Sequence, residues 1–378
     1  MAKNNKRVSA WVVVLICFCA FCLGAFGGVV FKHAQIEPKS DVLVTDVVVS
    51  GDLSIHFLEL GNNYTGDCTY IKAGDTDILI DAGSRQGSAA TIAAYVDNFC
   101  TDGVLEYVIA THAHQDHIAG FVGTATAKGI FEKYECQTII EFAGTNATSQ
   151  IYNKYVAARD KEVSNGANCY TALQCYNETD GAKKSYDLTE DGSIKLTVLY
   201  QKFYEQKTSD ENDYSVCVMI EQGDVKYLFT GDLEKDGEES LVESNELSEV
   251  KLFKGAHHGS YTANTTKLLD VIKPEYVCVC CCAGAIEYTQ TKENTFPSQA
   301  FIDRIAPYTD KVYVTTKGIV EYDEKKNKYV DKGFESLNGN IVFSCVNGLF
   351  EIKCSNVQDK LKDTEWFIQN RTMPAAWA

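Results

Sequence analysis

Five of the seven histidines of this chain fall in two short clusters. His112, His114 and His117 lie within THAHQDHIAG, and His257 and His258 lie within KGAHHGS. Imidazole binds a divalent metal at neutral pH without first having to lose a proton, so such clusters are typical of metal sites. A polar turn rich in histidine by chance is the competing interpretation. Against it, apolar LEYVIA precedes the first cluster and small IAG follows it.

The first cluster has a spacing that suits two adjacent metals. His112 and His114 alternate as on a strand, whereas Asp116 and His117 follow on a turn. One short segment therefore presents ligands in two directions. The HxHxDH pattern predicts a centre of two divalent metal ions, either zinc or manganese.

The chain resembles the metallo-β-lactamase superfamily, and within it the soluble hydrolase domain of the ComEC/Rec2 competence protein family. Besides HAHQDH, four segments carry the resemblance, in this order: SIHFLELGNNYTGDCTYIKAGDTDILIDAG, DYSVCVMIEQGDVKYLFTGDLEKDGEESL, LFKGAHHGSYTANTTKLLDVIKPEYVCV, and NTFPSQAFIDRI with KVYVTTKGIVEY. The likeness runs from Ser54 to about Tyr322. It implies an α/β fold, a four-layer αβ/βα sandwich with ligands on loops at one edge of two facing sheets.

The resemblance also implies the ligand set. Six residues would hold the metals: His112 and His114 the first, Asp116, His117 and His257 the second, and Asp232 as the bridge. Taken alone, Asp232 in GDLEKDGEE is equally typical of a helix N-cap. Asp81, which ends ILIDAG, is expected to hold a ligand imidazole rather than the metal.

The two histidines of HHGS are hard to tell apart by sequence. We expect His257 to be the ligand because it lies closer to the end of the preceding strand. His258 is then a substrate contact or an acid, and the predicted catalytic residues are Asp116 and His258. His33 and His56 are expected to be ordinary, the first beside the apolar leader and the second within a strand.

Two departures from the family pattern concern the metals. Many ComEC-like domains have an acidic residue where His114 stands, so the fuller motif here favours metal binding. The superfamily usually supplies another histidine between this motif and the GD aspartate, yet none occurs between His117 and His257. One metal position is therefore expected to be incomplete. Three residues remain open as substitutes there: Asn212, Asp213 and Ser215.

The first 31 residues predict a membrane anchor. MAKNNKR is basic, and the uncharged run from Val8 to Phe31 is long enough, at about 1.5 Å per residue, to cross the hydrocarbon of a bilayer. The positive-inside rule then leaves the N-terminus in the cytoplasm and the hydrolase outside, in a single-pass membrane protein. A cleaved signal peptide, which would make the protein secreted, is the alternative, and a cytosolic protein with an apolar leader is a third.

The predicted organisation beyond the leader is simple. A linker spans residues 32–50, the hydrolase domain residues 51–345, and a C-terminal extension residues 346–378. Within the domain, the polar stretch from about Gly144 to Gly192 predicts a helix with an irregular surface insertion. Cys169 and Cys175 are the best candidates for a disulfide, with free thiols an equal alternative.

Charge and resemblance together set the expected substrate. The formal net charge is −17, which repels long polyanions, and the basic residues form no obvious run. ComEC-like domains imply phosphodiester hydrolysis, so we expect a phosphodiesterase or nuclease acting on a small phosphodiester or a nucleic acid. A hydrolase of another ester, lactone or cell-envelope phosphodiester is the first alternative. A metal-poor accessory protein is the second. No protein partner is predicted.

Overall fold

The computed structural model describes residues 53–378. In chain order, the first eight strands are β1 (Leu53–Phe57), β2 (Thr69–Ala73), β3 (Thr76–Ile80), β4 (Val104–Ala110), β5 (Glu135–Glu141), β6 (Asn168–Thr171), β7 (Ser185–Asp187) and β8 (Ile194–Leu199). The second eight are β9 (Cys217–Gln222), β10 (Val225–Phe229), β11 (Leu252–Lys254), β12 (Tyr276–Ala283), β13 (Val312–Asp323), β14 (Lys328–Ser336), β15 (Ile341–Val346) and β16 (Leu349–Cys354).

Nine α-helices accompany these strands within residues 53–378. They are α1 (Ser88–Val96), α2 (Gln115–Ile118), α3 (Ile130–Lys133), α4 (Gln150–Asn165), α5 (Ala172–Asn177), α6 (Lys235–Ser244), α7 (Thr266–Ile272), α8 (Gln299–Ile305) and α9 (Glu365–Asn370). Several begin with a side-chain cap, as where the Thr265 hydroxyl accepts the Leu268 N–H at the start of α7.

The strands form two eight-stranded sheets. The first has the order β16-β15-β1-β2-β3-β4-β5-β6 and the second β14-β13-β12-β11-β10-β9-β8-β7. Strands β3 to β6 are mutually parallel, and so are β10 to β13. Parallel neighbours bring their carboxyl ends to one edge of a sheet, which is where open α/β folds place ligands.

Alternation along the strands shows how the layers stack. On β1, Phe57 packs against Phe229 of the second sheet with ring centroids 6.4 Å apart. Its neighbour His56 points the other way, where its Nδ1 lies 2.8 Å from the hydroxyl of Tyr95 on α1. The first sheet therefore has the second sheet on one face and helices on the other. His56 is an ordinary buried residue, and burial lowers its pKa to about 3.

The second sheet follows the same rule. Tyr227 on β10 faces the first sheet and packs near Phe343, whereas Leu228 faces the opposite way, into a core that also contains Leu268 and Phe301 of the outer helices. The order is helix, sheet, sheet, helix, so the predicted four-layer αβ/βα sandwich is confirmed for the described residues. The central parallel strands β11 and β12 are buried on both faces, as parallel strands require, whereas the outer strands β14 and β16 are partly exposed.

Two expectations about organisation differ from the structure. The stretch 144–192 is mostly regular: it contains the 16-residue helix α4 and the edge strands β6 and β7. Residues 346–378 are not a separate appendage, because β16 pairs with β15 and Phe367 is buried in the second core. Polar sequence here reflects edge strands and a half-exposed helix rather than irregular chain.

The described residues bear on the disulfide prediction, whereas the predicted membrane segment lies outside them. Every cysteine of residues 53–378 is a free thiol, including Cys169 and Cys175. In the same range, no helix combines the length and the apolar character needed to cross a bilayer. The predicted anchor or signal peptide (1–31), the whole linker (32–50) and the first two residues of the predicted hydrolase domain lie outside the described residues.

Candidate metal centre

The predicted ligands meet at the shared edge of the two sheets. Strand β4 ends at Ala110, Thr111 follows, and the HAHQDH motif then leads into the short helix α2. On the second sheet, β10 ends three residues before Asp232, and β11 ends before the HHGS turn. Because both sheets present the carboxyl ends of parallel strands here, residues far apart in sequence become neighbours.

Four side chains converge on one small volume: Asp116, His117, Asp232 and His258. Nε2 of His117 lies 3.1 Å from Oδ2 of Asp232, and Nε2 of His258 lies 3.1 Å from the same oxygen. Nε2 of His258 also lies 3.3 Å from Oδ2 of Asp116. Two imidazole nitrogens and two carboxylate oxygens are a suitable donor set for a divalent metal such as zinc.

Supporting hydrogen bonds hold both imidazoles in place. Nδ1 of His117 lies 2.7 Å from Oδ2 of Asp81, and Nδ1 of His258 lies 2.9 Å from the carbonyl oxygen of Cys280. Asp81 is itself held by the backbone N–H and the hydroxyl of Thr111, at 2.8 and 2.7 Å. Each Nδ1 therefore has an acceptor, which leaves each Nε2 free for a metal. Asp81 occupies the supporting position that the sequence predicts.

The structure places His257 away from this group. Its Nδ1 lies 2.9 Å from Oε1 of Glu234 and 3.2 Å from the hydroxyl of Thr262, and its side chain is partly exposed. The backbone of His257 and His258 takes positive φ values of 45° and 53°, so the chain turns sharply and the second side chain points inward. The geometry therefore favours His258 as the ligand, opposite to the sequence-based choice.

His112 and His114 form the other predicted metal position. Nε2 of His112 and Nδ1 of His114 are 3.0 Å apart, so the two nitrogens face a common point. Ser215, one of the suggested substitutes, contacts the far side of the ring, 3.5 Å from Nδ1 of His112. Its hydroxyl also accepts the backbone N–H of Asp232 at 3.0 Å. Ser215 thus supports the ligands rather than replacing the missing histidine.

The other two suggested substitutes face elsewhere. Asn212 donates its amide to Glu234 at 3.2 Å, in the group that holds His257. The backbone carbonyl of Asp213 accepts the amide of Gln201 at 2.8 Å, and burial raises the pKa of the Asp213 carboxyl to about 6. Neither residue contacts His112 or His114. This position therefore keeps two nitrogen ligands among the described residues.

Three further residues contact the ligands and were not predicted. Asp67, from the loop between β1 and β2, lies 3.1 Å from Nδ1 of His258. Lys254, the last residue of β11, forms an ion pair with Asp67 and lies 3.5 Å from Oδ1 of Asp232. Tyr288 donates its hydroxyl to Oδ2 of Asp116 at 2.8 Å. A polar residue at the end of an otherwise apolar strand was the available signal for Lys254.

The charged side chains of the candidate metal centre shift one another's pKa values strongly. Burial disfavours charge on His117 and His258, but carboxylates outweigh it, chiefly Asp232, and hold both histidine pKa values well above the usual range. Burial acts against ionised Asp232, yet the two histidines and Lys254 hold its pKa well below the usual value. Burial together with the charge of His117 lowers the pKa of His112. Metal binding at this group would compete with protons, because imidazole must be neutral and carboxylate ionised to act as ligands.

A separate observation also indicates that these residues suit a divalent metal. Nε2 of His258 and Oδ1 of Asp232 are buried and make no hydrogen bond with the described residues. Buried polar atoms in this condition are costly unless another partner is supplied. The ligand atoms of Asp67, His117, Asp232 and His258 all lie within 4.8 Å of one another, close enough for a single ion to reach several of them.

A comparison with known protein families supports the resemblance predicted from the sequence. Residues 61–173, which contain the first histidine cluster, match the model of the metallo-beta-lactamase superfamily. The match supports a resemblance to this superfamily over that part of the chain. The predicted resemblance to the superfamily is therefore confirmed over residues 61–173.

The competence-family resemblance has partial support. Competence protein ComA of Neisseria gonorrhoeae is 39% identical over 75 residues, which is 19% of this chain and 11% of that protein. The matched segment is therefore a small part of that relative. The match therefore says nothing about the function of the rest of ComA.

Solved structures give weaker likenesses. The metallo-beta-lactamase fold protein YhfI of Bacillus subtilis is 12% identical with a TM-score of 0.35, over 70% of this chain and 95% of that one. Human tRNase Z, short form, is 14% identical with a TM-score of 0.32, over 69% and 93%. Likenesses of this size support no assignment of activity.

Proposed function

We propose that this chain is a membrane-anchored, extracytoplasmic, metal-dependent phosphodiesterase. The observation that carries the catalytic part is the convergence of His117, His258, Asp116 and Asp232 on one point, with both Nδ1 atoms already engaged. That the protein is a hydrolase of the metallo-beta-lactamase superfamily follows from its family. Phosphodiester specificity and membrane attachment are the parts proposed here.

In this proposal the chain's own residues divide the work. His117, His258, Asp116 and Asp232 would hold the metal, and Asp81 would fix the orientation of His117. When bound, a divalent metal lowers the pKa of a water molecule and offsets negative charge on a phosphoryl oxygen. Asp116 would both ligate and orient the attacking water, which keeps it among the catalytic residues. Zinc and manganese both suit a set of imidazoles and carboxylates.

The role first given to His258 passes to His257 in this arrangement. His257 lies beside the ligand group, with ring centroids 5.9 Å from His258. Because Glu234 and Thr262 engage its Nδ1, its Nε2 remains to contact a substrate or to give a proton to the leaving oxygen. The partial exposure of His257 suits contact with a bound substrate.

Small diesters are the proposed substrates, with nucleic acid second. The net charge of −17 gives weak attraction for a long polyanion, and a metal can neutralise one scissile phosphate but not a flanking strand. The test compares purified full-length protein on bis(4-nitrophenyl) phosphate, 4-nitrophenyl acetate and single-stranded DNA over a range of salt. We expect rapid cleavage of the small diester and slow, salt-inhibited cleavage of DNA.

The same assay distinguishes the proposed function from the alternative functions. Preference for the acetate would favour an ester or lactone hydrolase, and fast salt-insensitive cleavage of DNA would favour a nuclease with a local basic groove. Lack of any turnover in a protein that retains metal would favour an accessory protein. An Asp116→Ala variant is the control, because it should lose metal and turnover together.

Membrane attachment rests on the apolar run after MAKNNKR. The test is fractionation of cells that make the full chain, followed by protease treatment of intact cells. We expect the protein in the membrane fraction and its hydrolase domain digested from outside. Recovery in the medium would indicate a cleaved signal peptide, and recovery in the cytosol would contradict the proposed location.

A further inference from the structure

A buried lysine lies directly against the proposed metal site. Lys254 ends β11 with its side chain only 3% exposed. Its ammonium has three partners: an oxygen of Asp67, the carbonyl oxygen of Gly231 at 3.2 Å, and Oδ1 of Asp232 at 3.5 Å. An ammonium has three donors and no acceptor, so two carboxylates and a carbonyl oxygen are suitable neighbours for it.

Asp67 is the partner that matters most, because its position makes it a potential ligand. Both of its oxygens are buried, with Lys254 and His258 as their charged neighbours, and the carboxylate lies in the group whose ligand atoms are within 4.8 Å of one another. Oδ1 lies 3.1 Å from Nδ1 of His258, and Oδ2 contacts Lys254. By distance alone, Asp67 has access to a metal held by His117 and His258.

We propose that Lys254 keeps Asp67 out of the metal's ligand set. This inference rests on the proposed metal site. The ammonium holds Oδ2 of Asp67, and Oδ1 lies beside Nδ1 of His258, so Asp67 serves as a counter-charge there. The metal is then left with two imidazoles and two carboxylates. Lys254 is a positioning residue: it acts through Asp67 and Asp232 and does not touch the metal.

The physical reason is competition between two cations for one buried carboxylate. A buried carboxylate without a partner is strongly disfavoured, and a divalent ion nearby would attract it. A lysine fixed by the end of β11 satisfies the carboxylate first. Without that lysine, the ion would gain a third carboxylate. Oxygen-rich sets favour harder ions such as manganese, whereas nitrogen-containing four-coordinate sets favour zinc. Lys254 would therefore tune metal preference.

The test uses metal binding as its readout, so it does not depend on finding the substrate. Metal-free full-length protein is titrated with Co²⁺, whose visible absorption weakens as the coordination number rises, and with Mn²⁺ and Zn²⁺ for affinity. In Lys254→Met we expect weaker absorption per Co²⁺ and a gain of at least about 10-fold in Mn²⁺ affinity relative to Zn²⁺. Lys254→Arg, which keeps the charge, should retain the wild-type spectrum.

Asp67→Asn separates the proposal from its alternatives. Alone, it should keep the wild-type Co²⁺ spectrum while weakening Co²⁺ affinity about 10- to 100-fold, as expected for a supporting residue. Combined with Lys254→Met, it should restore the wild-type spectrum. An unchanged spectrum and affinity in Lys254→Met would overturn the proposal, and so would persistence of the altered spectrum in the double variant.

A folding failure of Lys254→Met does not leave the question open. Circular dichroism identifies that case, and Asp67→Asn alone then decides. A wild-type spectrum in Asp67→Asn supports the exclusion of Asp67, whereas stronger absorption from loss of a ligand overturns it. Failure of wild-type protein to bind Co²⁺ at all would contradict the proposed function itself, which is a different result from any of these.

Discussion

Nε2 of His117 and Nε2 of His258 lie at the same distance, 3.1 Å, from a single oxygen of Asp232. The two histidines come from different sheets, so this meeting exists only when the sheets are stacked. Each ring is anchored at Nδ1 by a different acceptor. The pair is therefore preorganised for one ion before any metal arrives, which reduces the cost of ordering the ligands on binding.

Replacing His258 should remove metal, and replacing His257 should not. In His258→Ala we expect at least about 100-fold weaker Zn²⁺ binding, since even supporting residues of metal sites are worth 10- to 100-fold. His257→Ala should keep its metal content and lose turnover instead. Metal analysis of the purified variants, together with the diester assay, distinguishes the two. The opposite pattern would restore His257 as the ligand.

Gly83 should tolerate no side chain. A Cβ added there would stand 1.5 Å from the carbonyl oxygen of Asp116, so the backbone that carries this ligand would have to move. We expect Gly83→Ala to lose most of its metal and to have a lower Tm. Gly87→Ala is the matched control, because a Cβ at Gly87 would meet nothing within 4 Å. Equal metal content in the two variants would show that the backbone around Gly83 and Asp116 shifts to accommodate the added methyl group without loss of the site.

Tyr288 should matter for turnover more than for metal. Its hydroxyl donates to Oδ2 of Asp116, while its side chain is largely exposed beside Phe296. In Tyr288→Phe we expect normal metal content and a fall of about 10-fold in kcat, because Asp116 loses a fixed partner. Tyr288→Ala should raise KM as well, through loss of the exposed ring. Steady-state kinetics with metal analysis tests both, and metal loss in Tyr288→Phe would contradict this role.

Glu238 should make stability depend on pH. Its two oxygens accept the backbone N–H groups of Asn264 and Thr265 at 2.6 and 2.7 Å, and burial raises its pKa to about 7. Because the folded-state pKa lies above the unfolded one, this stabilisation is complete below the unfolded pKa and is lost as the pH rises through 7.

Urea unfolding between pH 5 and pH 8 measures the effect of Glu238. We expect its share of the fall in the free energy of unfolding to be about 3 kcal/mol, at about 1.4 kcal/mol per pKa unit. Glu238→Gln should flatten this part of the curve, whereas the exposed Asp236→Asn should leave it unchanged. Equal slopes in wild-type protein and Glu238→Gln would show that the carboxyl keeps an ordinary pKa.

Much of the fold and part of the site could be predicted because they are local in sequence. Apolar strands followed by HAHQDH, GD and HHGS indicate ligands at strand ends, and the order of these motifs indicates the sandwich. Asp81 could be predicted as a support for a ligand imidazole because it ends an apolar strand. The edge strands in residues 144–192 could not, since short polar strands have weak periodicity.

By itself, the sequence indicated the superfamily resemblance, the layered architecture and the small set of residues expected to meet at one edge. Only the tertiary structure decided between His257 and His258, because positive φ values in the HHGS turn reverse which side chain points inward. It alone brought Asp67 and Lys254 together, since they lie on different sheets and no spacing in the chain encodes that contact. Local pattern fixes which residues stand at strand ends, whereas the stacking of the two sheets fixes which of them touch.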